Sequence, residues 1–233
     1  MLILFDIDGT LLSTGGAGLV ALEQAGRELF HPAFDISGVD FAGRLDVLIM
    51  ADLLARHQIE PTREAMARFR AGYAGHMPRV MEEHRDATRA KPGTHELVRA
   101  AAELPGTTIG LLTGNFAETG TMKVAAAGFD PGVFRVNAWG DESTSTPPTR
   151  DDLPRSAMAK YAALHGRAVE AARVVVIGDT PFDVRCARVN GCRSLAVATG
   201  KFSVAELREA GADLAVETLA ETERLVEWMA SGR

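Results

Sequence analysis

Cysteine is scarce in this chain of 233 residues, which contains only Cys186 and Cys192. Their Cys-x5-Cys spacing, with no histidine nearby, fits neither a zinc site nor a disulfide framework, so both are expected to be reduced core thiols. No basic run occurs, and the net charge of -6 with a pI near 5.6 argues against nucleic acid or an anionic membrane as the main partner. Long apolar runs are missing too. The first is interrupted by Asp6 and Asp8, and no other stretch is long enough to span a bilayer. The N-terminus lacks the basic n-region of a signal peptide. A small-molecule partner and a cytoplasmic location are therefore expected, with no nucleic acid and no membrane. No coiled-coil heptads appear, and the oligomeric state stays open.

What is present is a hydrophobic content of 46%, enough for a packed core. The chain is organised around its opening, Met1-Leu-Ile-Leu-Phe5-Asp6-Ile-Asp8-Gly9-Thr10. Leu2 to Phe5 reads as a buried strand, and the carboxyl end of such a strand is where open α/β sheets place their chemistry. Residues two apart on a strand share a side, so Asp6 and Asp8 can face one site if the extended conformation persists through Ile7. The competing reading is a β-hairpin turning at Asp8-Gly9, with Leu11-Leu12 as the returning strand.

Along the chain, Leu19, Leu22, Leu29 and Phe30 fall on one helical face. Val47, Leu48, Ala51 and Leu54 predict a helix over 46–55, and Pro61 suits the first turn of the next one. Met66, Phe69, Tyr73, Met77 and Val80 continue at helical spacing, so residues 15–85 are expected to form an all-helical unit. Gly16-Ala-Gly18-Leu-Val-Ala21 formally matches a dinucleotide fingerprint. Asp8-to-Thr14 separates it from the strand, however, and a flexible hinge is the better reading. Beyond Lys91-Pro92-Gly93, helices expected at 94–104, 122–127, 153–165 and 184–190 alternate with strands at 107–112, 133–138, 173–177 and 194–198, and a final helix runs over 219–229. The stretch 140–149 is too rich in turn formers for regular structure. The fold class is α/β: a Rossmann-like parallel sheet with helices on both faces forms the core, residues 1–14 and 86–233, and the helical unit is inserted after its first strand.

Three predicted strands end in polar residues: Asp6 and Asp8, then Thr113 and Asn115, then Asp179 and Asp183. In a parallel sheet these ends share one edge, which favours a common crevice over the hairpin. Asp6, Asp179 and Asp183 without histidine or cysteine make a hard-oxygen site suited to Mg²⁺. With the metal absorbing charge, one carboxylate can act as nucleophile while its neighbour handles protons.

These residues resemble the haloacid dehalogenase-like (HAD) superfamily of aspartyl-phosphate hydrolases. Asp6-Ile-Asp8-Gly9-Thr10 matches its DxDGT motif. Leu111-Leu-Thr113-Gly114-Asn115 is similar to its second motif, and Gly178-Asp179-Thr-Pro-Phe-Asp183 to its GDxxxD motif. The helical insert resembles a C1 cap, as in phosphoglycolate phosphatase-like members. The resemblance implies that Asp6 attacks phosphorus, that Asp8 moves protons, and that Thr113, Gly114 and Asn115 hold phosphoryl oxygens. It also implies that Asp6, the Asp8 carbonyl and Asp179 bind Mg²⁺, with Asp183 doing so directly or through water. The family's third-motif lysine has no direct match. Arg150 is assigned its role, with Lys160 as rival. Phe41-Ala-Gly43-Arg44-Leu-Asp46 is similar to a cap stretch that places an arginine near substrate, so Arg44 is a candidate specificity residue; a solvent-exposed arginine at a helix start is the alternative. The expected function is a Mg²⁺-dependent phosphatase acting on a small phosphorylated metabolite. A phosphomutase of the β-phosphoglucomutase type and a non-catalytic binding protein are the alternatives.

Overall fold

The computed structural model describes residues 1–232. Strand β1, Leu2–Phe5, is fully buried, and its alternating side chains serve two separate layers. After it come a short strand β2 (Leu12–Ser13) and three helices, α1 (Ala17–Leu29), α2 (Asp46–Arg56) and α3 (Arg63–Glu83). Strand β3 (Arg89–Ala90) then returns to pair antiparallel with β2. The hairpin reading therefore falls: Leu12 pairs with Ala90, not with β1. The three helices enclose their own apolar cluster around Phe34, Leu53, Phe69 and Met77. Helix α3 begins at Arg63 rather than at Pro61, because Thr62 Oγ1 accepts from the Ala65 N–H and caps it. Gly16 caps α1, so the GAGLVA stretch opens a helix of the insertion, and the strand before it is the short β2 and not β1.

The remainder builds the core from α4 (Thr94–Glu103), β4 (Thr108–Leu111), α5 (Ala117–Ala126), α6 (Leu153–His165), β5 (Val174–Gly178), α7 (Pro181–Val189), β6 (Arg193–Val197), α8 (Val204–Glu209), β7 (Leu214–Val216) and α9 (Thr222–Ser231). The five-stranded sheet is parallel throughout, in the order β4-β1-β5-β6-β7. On one face, Ile3, Phe5, Val175 and Ile177 meet residues of α4, α5 and α9. On the other, Leu2, Leu4, Val174 and Val176 meet residues of α6 and α7. This is the Rossmann-like core expected from the sequence. Among the described residues, no helix is long and apolar enough to cross a membrane.

The segment 133–138, expected to be a strand, is not one. It runs beside β4 with an isolated bridge between Leu112 and Ala138. The Arg135 and Ala138 N–H groups donate to Ile109 and Leu111 carbonyls. The Leu111 N–H donates not to main chain but to Asn137 Oδ1 (3.0 Å), and this side-chain substitution breaks the ladder. Because β1 has β4 on one side and β5 on the other, strand order reverses beside it. A crevice at the carboxyl ends of these three strands follows.

Candidate active site

Asp6 is the first residue past β1. Its N–H still donates to the Ile177 carbonyl (2.8 Å), which fixes it at the sheet edge, and its side chain is buried. The chain then turns sharply, with the Leu11 and Leu12 N–H groups both donating to the Ile7 carbonyl. Gly9 sits in this turn at φ +88, and a Cβ there would lie 2.4 Å from Asp179 Oδ2. Only glycine satisfies both the backbone and the neighbouring carboxylate. The extended conformation does not persist through Ile7, yet Asp6 and Asp8 still line one cavity of about 310 Å³ together with Thr113, Gly114, Asn115, Arg150 and Asp179.

Three elements supply the buried charges. Asp179 follows β5, and Asp183 lies in the first turn of α7. The third-motif candidate Arg150 lies in a single 3₁₀ turn, Arg150–Asp152, directly before α6. Its Nη2 donates to Asp6 Oδ1 (2.8 Å), to Asp183 Oδ1 (2.5 Å) and to the Leu112 carbonyl (3.3 Å). Burial works against its charge, but the Asp183 and Asp6 carboxylates outweigh it and hold the pKa above the usual arginine value. Lys160 lies elsewhere, with its ammonium on Glu142 and the Asn137 carbonyl. Asp183 Oδ2 accepts from the Thr180 N–H and hydroxyl, closing a capping box on α7. Both of its oxygens are thus engaged.

Ligand oxygens of Asp6, Asp179 and Asp183 all lie within 4.8 Å of one another. Burial raises the pKa of Asp6, with Arg150 opposing the rise, and burial together with the charges of Asp6 and Asp183 raises that of Asp179. Three carboxylates packed so closely need a cation or protons. An all-oxygen, hard donor set fits Mg²⁺. Among the described residues, Asp6 and Asp179 each take a single side-chain hydrogen bond, Asp6 from Arg150 and Asp179 from Thr10 Oγ1 to its Oδ1 (2.9 Å), whereas Asp183 is held at both oxygens.

Thr113 is buried beyond β4, and its Oγ1 accepts from the Asn115 N–H. The loop is closed over by the insertion: the Asp46 N–H donates to the Gly114 carbonyl (2.8 Å), and Asp46 Oδ2 accepts from the Phe116 N–H. Arg44 lines the cavity, but its guanidinium pairs with Asp52 Oδ2 (2.6 Å), a half-exposed partner on α2. The Gly43 carbonyl accepts from Arg150 Nη1 (3.4 Å), so the stretch before α2 touches the buried arginine directly.

Two residues overlooked in the sequence emerge here. Lys123 on α5 is buried, and its ammonium donates to Asp8 Oδ2 (2.6 Å) and Asn115 Oδ1 (3.1 Å). Burial works against its charge, while Asp8, Tyr73 and Asp46 keep its pKa above the usual lysine value. Asp46 is pushed up to about 6 by burial, against the pull of Lys123. The one sequence signal for Lys123 is a lone cation in Met122-Lys-Val-Ala-Ala-Ala127, an otherwise apolar stretch.

A family model for haloacid dehalogenase-like hydrolases matches residues 3–188, and the chain belongs to that family. Among curated proteins, none matches it in sequence. Solved structures share the fold over nearly the whole length. A predicted phosphatase from Clostridium acetobutylicum is 20% identical, with 97% of this chain and 98% of that chain covered, at a TM-score of 0.70. A predicted phosphoglycolate phosphatase from Haemophilus somnus is 16% identical, with 96% of each chain covered, at 0.67. CbbY from Rhodobacter sphaeroides, solved as a mutant in complex with xylulose-(1,5)bisphosphate, is 22% identical, with 94% of this chain and 95% of that chain covered, at 0.68.

Proposed function

We propose that this hydrolase is a Mg²⁺-dependent phosphatase that cleaves a small phosphomonoester through a phosphoryl intermediate on Asp6. The observation that carries the reading is the buried Asp6–Arg150–Asp183 bridge, with Asp179 beside it, opening on the cavity that Asp8 and Thr113 also line. Residues 15–85 act as the cap and 1–14 with 86–233 as the core.

A carboxylate oxygen of Asp6 attacks phosphorus, and the bond from phosphorus to the ester oxygen breaks. Asp8 gives that oxygen its proton and becomes a carboxylate. A water then attacks phosphorus and passes a proton to Asp8, and the bond to Asp6 breaks to release phosphate. Arg150, whose charge is permanent, keeps Asp6 aimed and carries the excess negative charge of the site. Thr113, Gly114 and Asn115 hold the transferring phosphoryl group. Asp6, the Asp8 carbonyl and Asp179 would bind Mg²⁺, with Asp183 reaching it through water because its oxygens are occupied. When bound, the ion neutralises carboxylate and phosphoryl charge.

Phosphate release measured with Mg²⁺ over phosphoglycolate, sugar phosphates, nucleotides and pyridoxal phosphate tests the reading. Turnover that a chelator abolishes is expected. Phosphate kept on a bisphosphate product would instead support a mutase, and no transfer at all would sink the proposal.

The ion's effect on stability should depend on pH. Asp6 and Asp179 have folded pKa values above their unfolded ones. In the metal-free protein their contribution is therefore fully present below the unfolded values and is lost as pH rises through the folded ones. The ionised pair that binds Mg²⁺ is populated over that same rise. Thermal unfolding should show a larger Mg²⁺-induced increase in Tm at pH 8 than at pH 6. An increase that is equal at both, or larger at pH 6, would show that these carboxylates do not hold the ion.

A further inference from the structure

Among the described residues lining the cavity, Lys123 is a buried cation to which the chemistry above gives no part. Its neighbours in sequence are apolar, and burying an ammonium costs several kcal/mol unless partners offset it. A polar group held against such a cost is a mark of function. Its two hydrogen bonds, to Asp8 and Asn115, leave one N–H for a ligand.

The surroundings of this ammonium come from all three inserted helices. Tyr73 on α3 and Asp46 on α2 line the same cavity. On α1, Gly18 leaves the space open: a Cβ there would lie 3.2 Å from Tyr73 Oη and 3.4 Å from Lys123 Nζ. The pocket thus offers an ammonium and a phenol as donors, and Asp46 as acceptor. Leu19, Leu22 and Ile49 add apolar wall.

Charge decides what fits. Lys123 already donates to Asp8, and Asp46 is a second acid beside it, so an anionic group arriving here would add charge among acidic groups that share this one ammonium. A hydroxyl can accept from Lys123 and donate to Asp46 at once. Distance decides where on the substrate it lies. Lys123 Nζ is 2.6 Å from Asp8, which under the phosphatase reading contacts the ester oxygen. With a hydrogen bond of about 2.8 Å at each end of that contact, the recognised group is within about 8 Å of the ester oxygen.

We propose that Lys123, with Asp46 and Tyr73, is the specificity site for a hydroxyl group close to the ester carbon, so that the substrate is a polyol or sugar phosphate and not a phosphate ester bearing a nearby carboxylate. This inference rests on the phosphatase reading. It is tested by kcat/KM with Mg²⁺ on glycerol 3-phosphate, propyl phosphate and phosphoglycolate. In the wild type, glycerol 3-phosphate should exceed both others by about tenfold or more, the discrimination expected of a site built to bond a hydroxyl. Lys123→Met should bring the ratio of glycerol 3-phosphate to propyl phosphate close to one, and Tyr73→Phe should lower it. A ratio cancels any general loss of activity. Phosphoglycolate running fastest, a wild-type ratio near one, or a ratio that survives Lys123→Met would each overturn the inference and leave the phosphatase reading standing. No phosphate release from any ester would overturn both.

Discussion

Asp6→Asn should abolish turnover, with phosphate release falling by at least about 10⁴-fold, the scale seen when a nucleophile is removed from a catalytic group acting as a unit. An amide cannot form the acyl phosphate, and the neighbouring carboxylates are engaged elsewhere: Asp183 is tied to Thr180 and Arg150, Asp8 lies on Lys123, and Asp179 accepts from Thr10. The fold should survive. The side chain is buried and its ionised form is disfavoured there, so a neutral isostere removes a cost along with a contact to Arg150. The measurement is phosphate release beside a thermal melt. A variant that melts like the wild type and keeps more than a hundredth of its activity would rule Asp6 out as nucleophile.

The second large effect is on stability. Arg150→Met leaves Asp6 and Asp183 buried with no cation between them, and breaking a buried pair from one side costs about 3–5 kcal/mol. Asp6 can take up a proton, which places the expected loss toward the lower end. For a chain of this size that is a fall in Tm of about 10 °C, at about 2–4 °C per kcal/mol. Activity should drop as well, because Asp6 loses the group that aims it. Arg150→Lys keeps the charge but not the fork that also reaches the Gly43 carbonyl, and should recover only part of the stability. If Arg150→Met melted within 2 °C of the wild type while Lys160→Met were strongly destabilised, the role would belong to Lys160.

The parallel core and the convergence of Asp6, Thr113, Asp179 and Asp183 were legible in the sequence because each follows a short apolar strand, and the carboxyl ends of parallel strands share one edge. Arg150 was legible by position: it stands just before the helix that precedes β5. Lys123 was not, because nothing in a helical pattern distinguishes a solvated lysine from one turned inward, and only the cavity beside α5 makes the difference. Asp46 was hidden for a related reason. At a helix start it reads as an acid favoured by the dipole, and its burial depends on the insertion closing against Gly114 and Phe116. The segment 133–138 looked like a strand because its side chains alternate. The hydrogen bond that Asn137 takes from Leu111 is a tertiary fact. Asp183 was expected at the metal site, directly or through water; it lies with Asp6 and Asp179, and its oxygens also hold Arg150 and cap α7, contacts that no sequence pattern announces.

The account turns on a phosphoryl group passing through Asp6. Its most direct test is to quench the wild type during turnover with acid, reduce the acyl phosphate with borohydride, and sequence the peptides by mass spectrometry. Conversion of residue 6 to homoserine, absent in Asp6→Asn, is the predicted result. Steady phosphate release with residue 6 unmodified, or with the label on Asp8, Asp179 or Asp183, would contradict it.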